Sequence, residues 1–166
     1  MSIPTNEIRV GDCITAMQKQ ELLEAVKQFI RSGRPFLGIC VGYQALFERS
    51  EEFNSCAAGL TLFKGSVVRF PEKPGLKVPQ IGWNQLEILC AECPLFKGIE
   101  NRSYVYFVHS FFPRPEDQSI VATWTTYGET FASSIWKDNV YATQFHPEKS
   151  QAVGLKVLEN FVALTR

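Results

Sequence analysis

One short stretch, residues 33–47, constrains the fold of this chain more than any other. An apolar run at residues 36–39 leads into the pentapeptide Gly38-Ile39-Cys40-Val41-Gly42, and residues 43–48 that follow are compatible with a helix. A reactive side chain at a sharp turn between a strand and a helix is typical of a nucleophile elbow, whose central residue has a strained backbone. The positions two before and two after it must be small, and glycine occupies both. The sequence therefore predicts Cys40 as a nucleophile.

The composition is that of one globular domain. The 166 residues are 45% hydrophobic, which is enough for one core and too little chain to expect two. Seventeen basic residues balance seventeen acidic ones, so charge gives no reason to expect nucleic acid or an anionic membrane as a partner. No apolar run approaches the roughly 20 residues of a membrane span, and the polar start does not resemble a signal peptide. We expect a single domain over residues 1–166, in the cytoplasm, with a small-molecule ligand.

The five cysteines are irregularly spaced. An odd number suits reduced thiols better than a disulfide framework. Cys90 and Cys93 match a CxxC pattern, but a closed zinc site needs four ligands, and the sequence has no second CxxC or paired histidines to supply the others. We therefore expect a loop or a helix start at residues 90–93, and neither a metal nor a cofactor.

Hydrophobic patterning predicts the remaining elements. Apolar spacings of three and four indicate one amphipathic helix or a pair of helices at residues 12–30, and a broad apolar face indicates another helix at 150–164. Residues 49–55 are polar enough for a loop. Strands are predicted within residues 59–70 and at 85–89, 104–108, 120–124, 131–136 and 140–144, with turns at residues 127–128 and 137–139. This order predicts an α/β domain with a mixed, mostly parallel sheet flanked by helices, and a site at the carboxyl ends of strands.

A cysteine nucleophile needs a base, and the chain has two histidines, His109 and His146. His146 is the stronger candidate, because Pro147 favours an extended conformation for the residue before it. Side chains two apart on an extended chain lie on one side, so Glu148 can orient the imidazole of His146. The three side chains would then be nucleophile, base and orienter for acyl transfer through a thioester on Cys40. The alternatives are a core thiol at Cys40, a polar strand end at His146, and a hydrogen-bonded histidine without a catalytic role at His109.

Two motifs together carry a resemblance to a known family. The segment Gly38-Ile39-Cys40-Val41-Gly42-Tyr43-Gln44 and the segment His146-Pro147-Glu148 resemble the class I glutamine amidotransferase family, which has a flavodoxin-like fold. Within that class the chain is most similar to the glutaminase part of imidazole glycerol phosphate synthase, of histidine biosynthesis, over about residues 11–164. The segments that separate it from other members are Gly-Trp-Asn at residues 82–84 and Val-His-Ser-Phe at residues 108–111. The resemblance implies that a Cys-His-Glu triad hydrolyses glutamine to glutamate and ammonia, and that a (β/α)₈-barrel cyclase uses the ammonia.

The resemblance implies a role for each matching residue. Cys40 would be the nucleophile, His146 the base and Glu148 its orienter, and the N–H of Val41 would be one oxyanion donor. The substrate glutamine would be held by residues of the elbow, the following helix and a later strand end: Gly38, Val41, Gly42, Gln44, His109, Ser110 and Phe111. The cyclase would be contacted by a second set: Gly82, Trp83, Asn84 and Lys149.

The chain departs from the family at its beginning. The family starts with a β-α-β unit that ends in Pro-Gly-Val-Gly, a loop implicated in the oxyanion hole, where residues 5–8 of this chain read Thr-Asn-Glu-Ile. We therefore expect an incomplete amidotransferase domain that lacks the first β-α-β unit. A plastid is the alternative location if the natural chain begins earlier. The alternatives to a working glutaminase are an inactive scaffold that keeps the cyclase-facing surface and a cysteine hydrolase that acts on another amide.

Overall fold

A computed structural model describes residues 10–52 and 59–166. The helices are α1 (Val10–Lys19), α2 (Leu22–Arg31), α3 (Val41–Gln44) and α4 (Gln151–Ala163). The strands are β1 (Phe36–Ile39), β2 (Phe47–Ser50), β3 (Phe63–Arg69), β4 (Gln80–Gln85), β5 (Glu87–Ile88), β6 (Tyr104–His109), β7 (Phe111–Pro115), β8 (Val121–Tyr127), β9 (Glu129–Lys137) and β10 (Val140–Thr143). Short 3₁₀ turns lie at Pro94–Phe96, Gln118–Ile120 and Pro147–Lys149.

The strands form three sheets. Their orders are β1-β10-β9-β8-β5, β2-β3-β7 and β4-β6. The prediction of a mixed α/β fold is confirmed, but "mostly parallel" is wrong for the described strands: only β1 with β10 and β2 with β3 run parallel. Tight hairpins make antiparallel neighbours of β8 with β9 and of β9 with β10, and the other three antiparallel pairs join strands that are far apart in the chain. The predicted turns join β8 to β9 and β9 to β10, with left-handed φ angles of 70° at Gly128 and 52° at Asp138.

Helices cover both faces of the largest sheet. All four residues of β10 are buried, as expected for a strand enclosed on both sides. Val140 and Ala142 pack in a cluster with Ile30 of α2, whereas Tyr141 packs in a second cluster with Val157 of α4. The parallel pairing of β1 with β10 places the carboxyl ends of these two strands side by side, with Ile39 opposite Thr143.

The chain after Cys40 differs from the prediction. We expected a helix at residues 43–48 and a loop at 49–55, but α3 ends at Gln44 and β2 follows at Phe47–Ser50. The reason is pairing with distant chain: the N–H of Leu62 donates to the carbonyl of Leu46 at 2.9 Å, and Phe47 lies opposite Phe63 of β3. Residues 53–55 of the predicted loop lie outside the described residues.

Most of the other predicted elements are present. The first helical region is a pair, α1 and α2, and a strand or helix lies at each of the later predicted positions. The strand predicted at residues 85–89 is replaced by β4, which starts earlier, and by the two-residue β5. No strand was predicted at β7, which contains Pro113 and Pro115. Both prolines are tolerated since β7 is at the edge of its sheet, paired with β3 on one side.

The four described cysteines are free thiols, and Cys56 lies outside the described residues. Residues 90–93 form a loop before the turn Pro94–Phe96, as predicted. Burial raises the pKa of the Cys93 thiol to about 12. Within residues 10–52 and 59–166, no three His, Cys, Asp or Glu side chains come together in a way that could hold a metal ion. In the same ranges no helix combines the length and apolarity needed to cross a membrane.

Candidate active site

Cys40 occupies the sharp turn between β1 and α3. Its backbone has φ 50° and ψ −105°, a conformation that costs a non-glycine residue on the order of 1–3 kcal/mol and that is found mainly at functional sites. The turn is held from both sides, because the N–H of Cys40 donates to the Thr143 carbonyl at 2.8 Å and the Cys40 carbonyl accepts from Tyr43 and Gln44. The strained elbow predicted from the glycine spacing is therefore present.

The two glycines of the elbow are not equivalent. A Cβ on Gly38 would lie 2.8 Å from the carbonyl oxygen of Gly42, whereas a Cβ on Gly42 would meet nothing within 4 Å. Gly38 is thus required by the close approach of the two backbones, and our expectation that both positions must be small is wrong for Gly42. Neither glycine lines the cavity described below, and their role in binding substrate stays a prediction.

We expect Gly38→Ala to lower the free energy of unfolding by about 1–3 kcal/mol, the usual cost of overpacking. Gly42→Ala adds the same methyl group to α3 without a clash, and alanine is favoured over glycine in a helix by about 1 kcal/mol. Its expected effect is neutral to stabilising. Urea unfolding of both variants, compared at equal m-values, measures the difference. Equal losses from the two substitutions would contradict the asymmetry.

His146 and Glu148 are paired next to the elbow. The Nδ1 atom of His146 lies 2.6 Å from Oε1 of Glu148. Because a carboxylate only accepts, Nδ1 carries the proton, which leaves the lone pair on Nε2. The Nε2 atom is buried and has no hydrogen-bond partner in the described part of the chain. A buried nitrogen with an unused lone pair in a cavity is suited to act as a base.

The backbone of His146 is fixed to β6. Its N–H donates to the Tyr106 carbonyl at 2.9 Å, and its carbonyl accepts from the hydroxyl of Ser150 at 2.6 Å. The same hydroxyl accepts from the N–H of Tyr106 at 2.9 Å. The backbone that carries the ring of His146 is therefore fixed to β6 and to Ser150 at the start of α4.

His109 has the environment of a structural histidine. Its Nδ1 donates to the carbonyl of Phe111 at 2.8 Å and its Nε2 lies 3.1 Å from the side-chain amide of Gln80. Burial among aromatic rings, including those of Phe70 and Phe107, lowers the pKa of His109 to about 4. Both ring nitrogens are occupied and the ring is neutral at pH 7, which favours the non-catalytic alternative considered above.

A cavity of about 330 Å³ opens in front of Cys40, a size typical of small-molecule sites. Its walls combine the elbow, the carboxyl end of β6, the start of β7 and the His146 turn: Ile39, Cys40, Val41, Gln44, Glu52, Val108, His109, Ser110, Phe111, His146 and Lys149. The structure thus brings together all three proposed triad residues and five of the seven predicted substrate-binding residues. Val41 is the first residue of α3, so its N–H has no acceptor within the helix.

The sequence did not indicate a role at this site for two polar residues, Glu52 and Gln144. Glu52 lines the cavity, and its carboxylate accepts the N–H of Val10 at 2.8 Å. Gln144 is completely buried and its Nε2 donates to the sulfur of Cys40 at 3.6 Å. For Gln144 the only local signal is its position two residues before His146 on the same extended chain.

Near the cavity, β4 and β6 expose one apolar face. Ile81, Trp83 and Tyr104 are 60%, 45% and 56% exposed, and the ring of Trp83 packs edge-on against Tyr106. Of the predicted partner-contacting residues, Trp83 lies on this face. Gly82 and Asn84 alternate to the other face, where Nδ2 of Asn84 donates to the Thr126 carbonyl at 2.9 Å.

The comparisons with known proteins identify the family of the chain. The family described as glutamine amidotransferase class-I matches residues 13–164. The imidazole glycerol phosphate synthase subunit HisH of Syntrophotalea carbinolica is 50% identical over 155 residues, which cover 90% of this chain and 74% of that protein. The protein of the same name from Methanocaldococcus jannaschii is 49% identical, over 93% of this chain and 77% of its own length.

Solved structures share the fold at low sequence identity. A glutamine amidotransferase from Thermotoga maritima superposes with a TM-score of 0.61 at 17% identity, over 95% of this chain and 60% of that one. The PurLQS structure from the same organism gives a TM-score of 0.66 at 18% identity, over 87% of this chain and 68% of that one. The family match over most of the chain and the relatives at half identity lead to one conclusion: this chain belongs to the class-I glutamine amidotransferase family, and the relatives described above are HisH subunits.

Proposed function

We propose that this chain is the glutaminase subunit of an imidazole glycerol phosphate synthase, acting in histidine biosynthesis as one amidotransferase domain. It would hydrolyse glutamine to glutamate and pass the ammonia to a cyclase partner. The observation that carries the proposal is a cavity lined by both a strained cysteine, Cys40, and a histidine, His146, whose Nδ1 atom lies 2.6 Å from the carboxylate of Glu148. The assignment to this particular synthase rests on the relatives that are about 50% identical to the chain.

The chemistry follows from the roles of the three side chains. Nε2 of His146 takes the proton of Cys40 while the sulfur attacks the carboxamide carbon of glutamine. The tetrahedral oxyanion accepts a hydrogen bond from the N–H of Val41. The carbon–nitrogen bond then breaks as His146 returns the proton to the nitrogen, which releases ammonia and leaves a thioester on Cys40. Water, deprotonated by His146, hydrolyses the thioester to glutamate and restores the thiol.

The α-amino end of glutamine is positively charged, and the cavity offers two acceptors for it. The amide nitrogen of Gln44 is already committed, since it donates to the Phe111 carbonyl at 2.8 Å and to Oε1 of Gln144 at 3.2 Å. The side-chain oxygen of Gln44 therefore remains as its acceptor for an ammonium group. Glu52 adds a carboxylate on the same cavity wall.

Residues 109–111 contribute to the site less through their side chains than through their backbone. The carbonyl of Phe111 already accepts two hydrogen bonds, from Gln44 and His109, and the ring nitrogens of His109 are occupied. We propose that His109, Ser110 and Phe111 shape the cavity wall and contact the amino-acid end of the substrate mainly through main-chain atoms.

The cyclase is proposed to cover the exposed apolar face of β4 and β6, with Trp83 at its centre. This face borders the cavity, because Val108 lines the cavity and is the pairing partner of Ile81 across the two strands. A (β/α)₈-barrel docked there would receive ammonia close to Cys40. Lys149, exposed and on the cavity rim, is placed to contact the same partner. Gly82 and Asn84 would act by holding β4 in position.

The decisive experiment measures glutamate release from glutamine with and without the cyclase and its nucleotide substrate. We expect glutamate release that rises when the cyclase is added, and we expect Ile81→Lys to remove this stimulation by placing a charge in the apolar contact. Glutamate release no higher than that of a Cys40→Ala variant under all conditions would refute the glutaminase. Binding of the cyclase without turnover would support the scaffold alternative instead.

A further inference from the structure

Gln144 connects the nucleophile to the rest of the site through a chain of hydrogen bonds. Nε2 of Gln144 lies 3.6 Å from the sulfur of Cys40, and Oε1 of Gln144 accepts from Nε2 of Gln44 at 3.2 Å. The backbone of Gln144 is also fixed, because its N–H donates to the Ser133 carbonyl at 2.8 Å. A completely buried amide in this position cannot exchange its partners for water.

The direction of this chain is set at its far end. The carbonyl of Phe111 can only accept, so the side chain of Gln44 must turn its NH₂ group toward it, at 2.8 Å. The second hydrogen of that NH₂ group then points to Gln144, whose side-chain oxygen must accept it. Gln144 is consequently forced to present its own NH₂ group to the sulfur of Cys40.

A donor aimed at the sulfur favours the thiolate over the thiol. The sulfur has one further contact of interest, the carbonyl of Val108 at 3.9 Å, which accepts the S–H proton and so favours the neutral thiol. The helix after Cys40 has four residues, so few peptide dipoles are aligned behind the sulfur. An N–H donor to a charged sulfur is a charge-assisted hydrogen bond, stronger than one to the neutral form.

We infer that Gln144 is a positioning residue that orients the Cys40 sulfur and stabilises its thiolate, with Gln44 and the Phe111 carbonyl fixing the direction of its amide. This inference deepens the proposed function, since it concerns the nucleophile of the same site. Gln144 acts through Cys40 and is not assigned a contact with the substrate.

The test is the pH dependence of alkylation of Cys40 by iodoacetamide, followed by mass spectrometry of the peptide that contains Cys40. It uses the full chain without glutamine or cyclase, so it reads thiolate formation whether or not the glutaminase proposal holds. Gln144→Met keeps the length of the side chain and removes the donor. We expect the midpoint of alkylation to rise by about one pH unit, the scale of one charge-assisted hydrogen bond. Gln118→Met, which removes an amide bonded to the Pro115 carbonyl, is the matched control and should leave the midpoint unchanged.

A lower melting temperature with an unchanged midpoint would show that Gln144 is only structural and would overturn the inference. If Gln144→Met does not fold, Gln144→Glu provides the test. Its carboxyl group still accepts from Gln44 but has no N–H to donate to the sulfur. The expected result for Gln144→Glu is a rise of at least the same size, and an unchanged midpoint would again overturn the inference. In an active enzyme the acidic limb of the kcat/KM profile should move in the same direction.

Discussion

Replacing Cys40 with alanine is expected to lower glutamate release from glutamine by at least about 10⁴-fold, since loss of the nucleophile in a triad removes nearly all of its catalysis. The side chain of alanine is smaller than that of cysteine and fits the same elbow, so we expect the fold to be kept. The rate is measured as glutamate formed in the presence of the cyclase. Cyclase activity supplied with free ammonium salt should be unchanged, which separates loss of the glutaminase from loss of the complex.

Cys13→Ala is the matched control for this variant. Cys13 lies in α1, outside the residues that line the cavity, and alanine is the best helix former. We expect wild-type glutamate release from Cys13→Ala. A Cys40→Ala protein that keeps more than about one-hundredth of the wild-type rate would show that another group is the nucleophile.

The second large effect is expected from His146→Ala. Without a base the thiol of Cys40 attacks poorly at neutral pH and the leaving nitrogen receives no proton, so we expect glutamate release to fall by about 10³-fold or more. Glu148→Gln should cost less than His146→Ala, because the residue orients the ring rather than moving the proton. The carboxylate of Glu148 is also half exposed, with 48% of its side chain accessible, which weakens its electrostatic effect on the ring.

Rescue distinguishes a missing base from a damaged fold. Imidazole added to His146→Ala is expected to restore part of the activity, because the substitution vacates the volume of the ring beside Cys40. The same addition should do nothing for Cys40→Ala. Glutamate release by His146→Ala within tenfold of wild type would rule out His146 as the base.

Local rules in the sequence were sufficient for the elbow and for the histidine–carboxylate pair. The close approach of Gly38 to the Gly42 carbonyl is a property of a five-residue turn. Likewise, the 2.6 Å contact of His146 with Glu148 joins side chains only two residues apart, although Glu148 lies in the 3₁₀ turn Pro147–Lys149 and not in the extended chain that we predicted. Distant residues then hold both arrangements in place, since the N–H of Cys40 donates to the Thr143 carbonyl and that of His146 to the Tyr106 carbonyl.

Contacts between segments that are distant in the chain could not be predicted from such local rules. The predicted length of α3 was wrong because the apolar residues after Gln44 would be buried whether they formed a helix or a strand. Only the pairing of Phe47 with Phe63 selects the strand. The edge position that tolerates Pro113 and Pro115 in β7 is likewise a property of the whole sheet. The two hairpins, β8 with β9 and β9 with β10, were predicted from their turns, whereas the antiparallel pairs β3 with β7, β4 with β6 and β5 with β8 join segments that are distant in the chain.

The sequence by itself determined the nucleophile elbow at Cys40, the orientation of His146 by Glu148 and the α/β class, because each rests on backbone geometry over a few residues or on hydrophobic period. The tertiary structure alone decided which side chains surround the sulfur. Gln144 is 104 residues from Cys40, and it reaches the sulfur because β1 and β10 pair in parallel with their carboxyl ends together. Such a contact depends on register between strands, and register is fixed only when the whole sheet has formed.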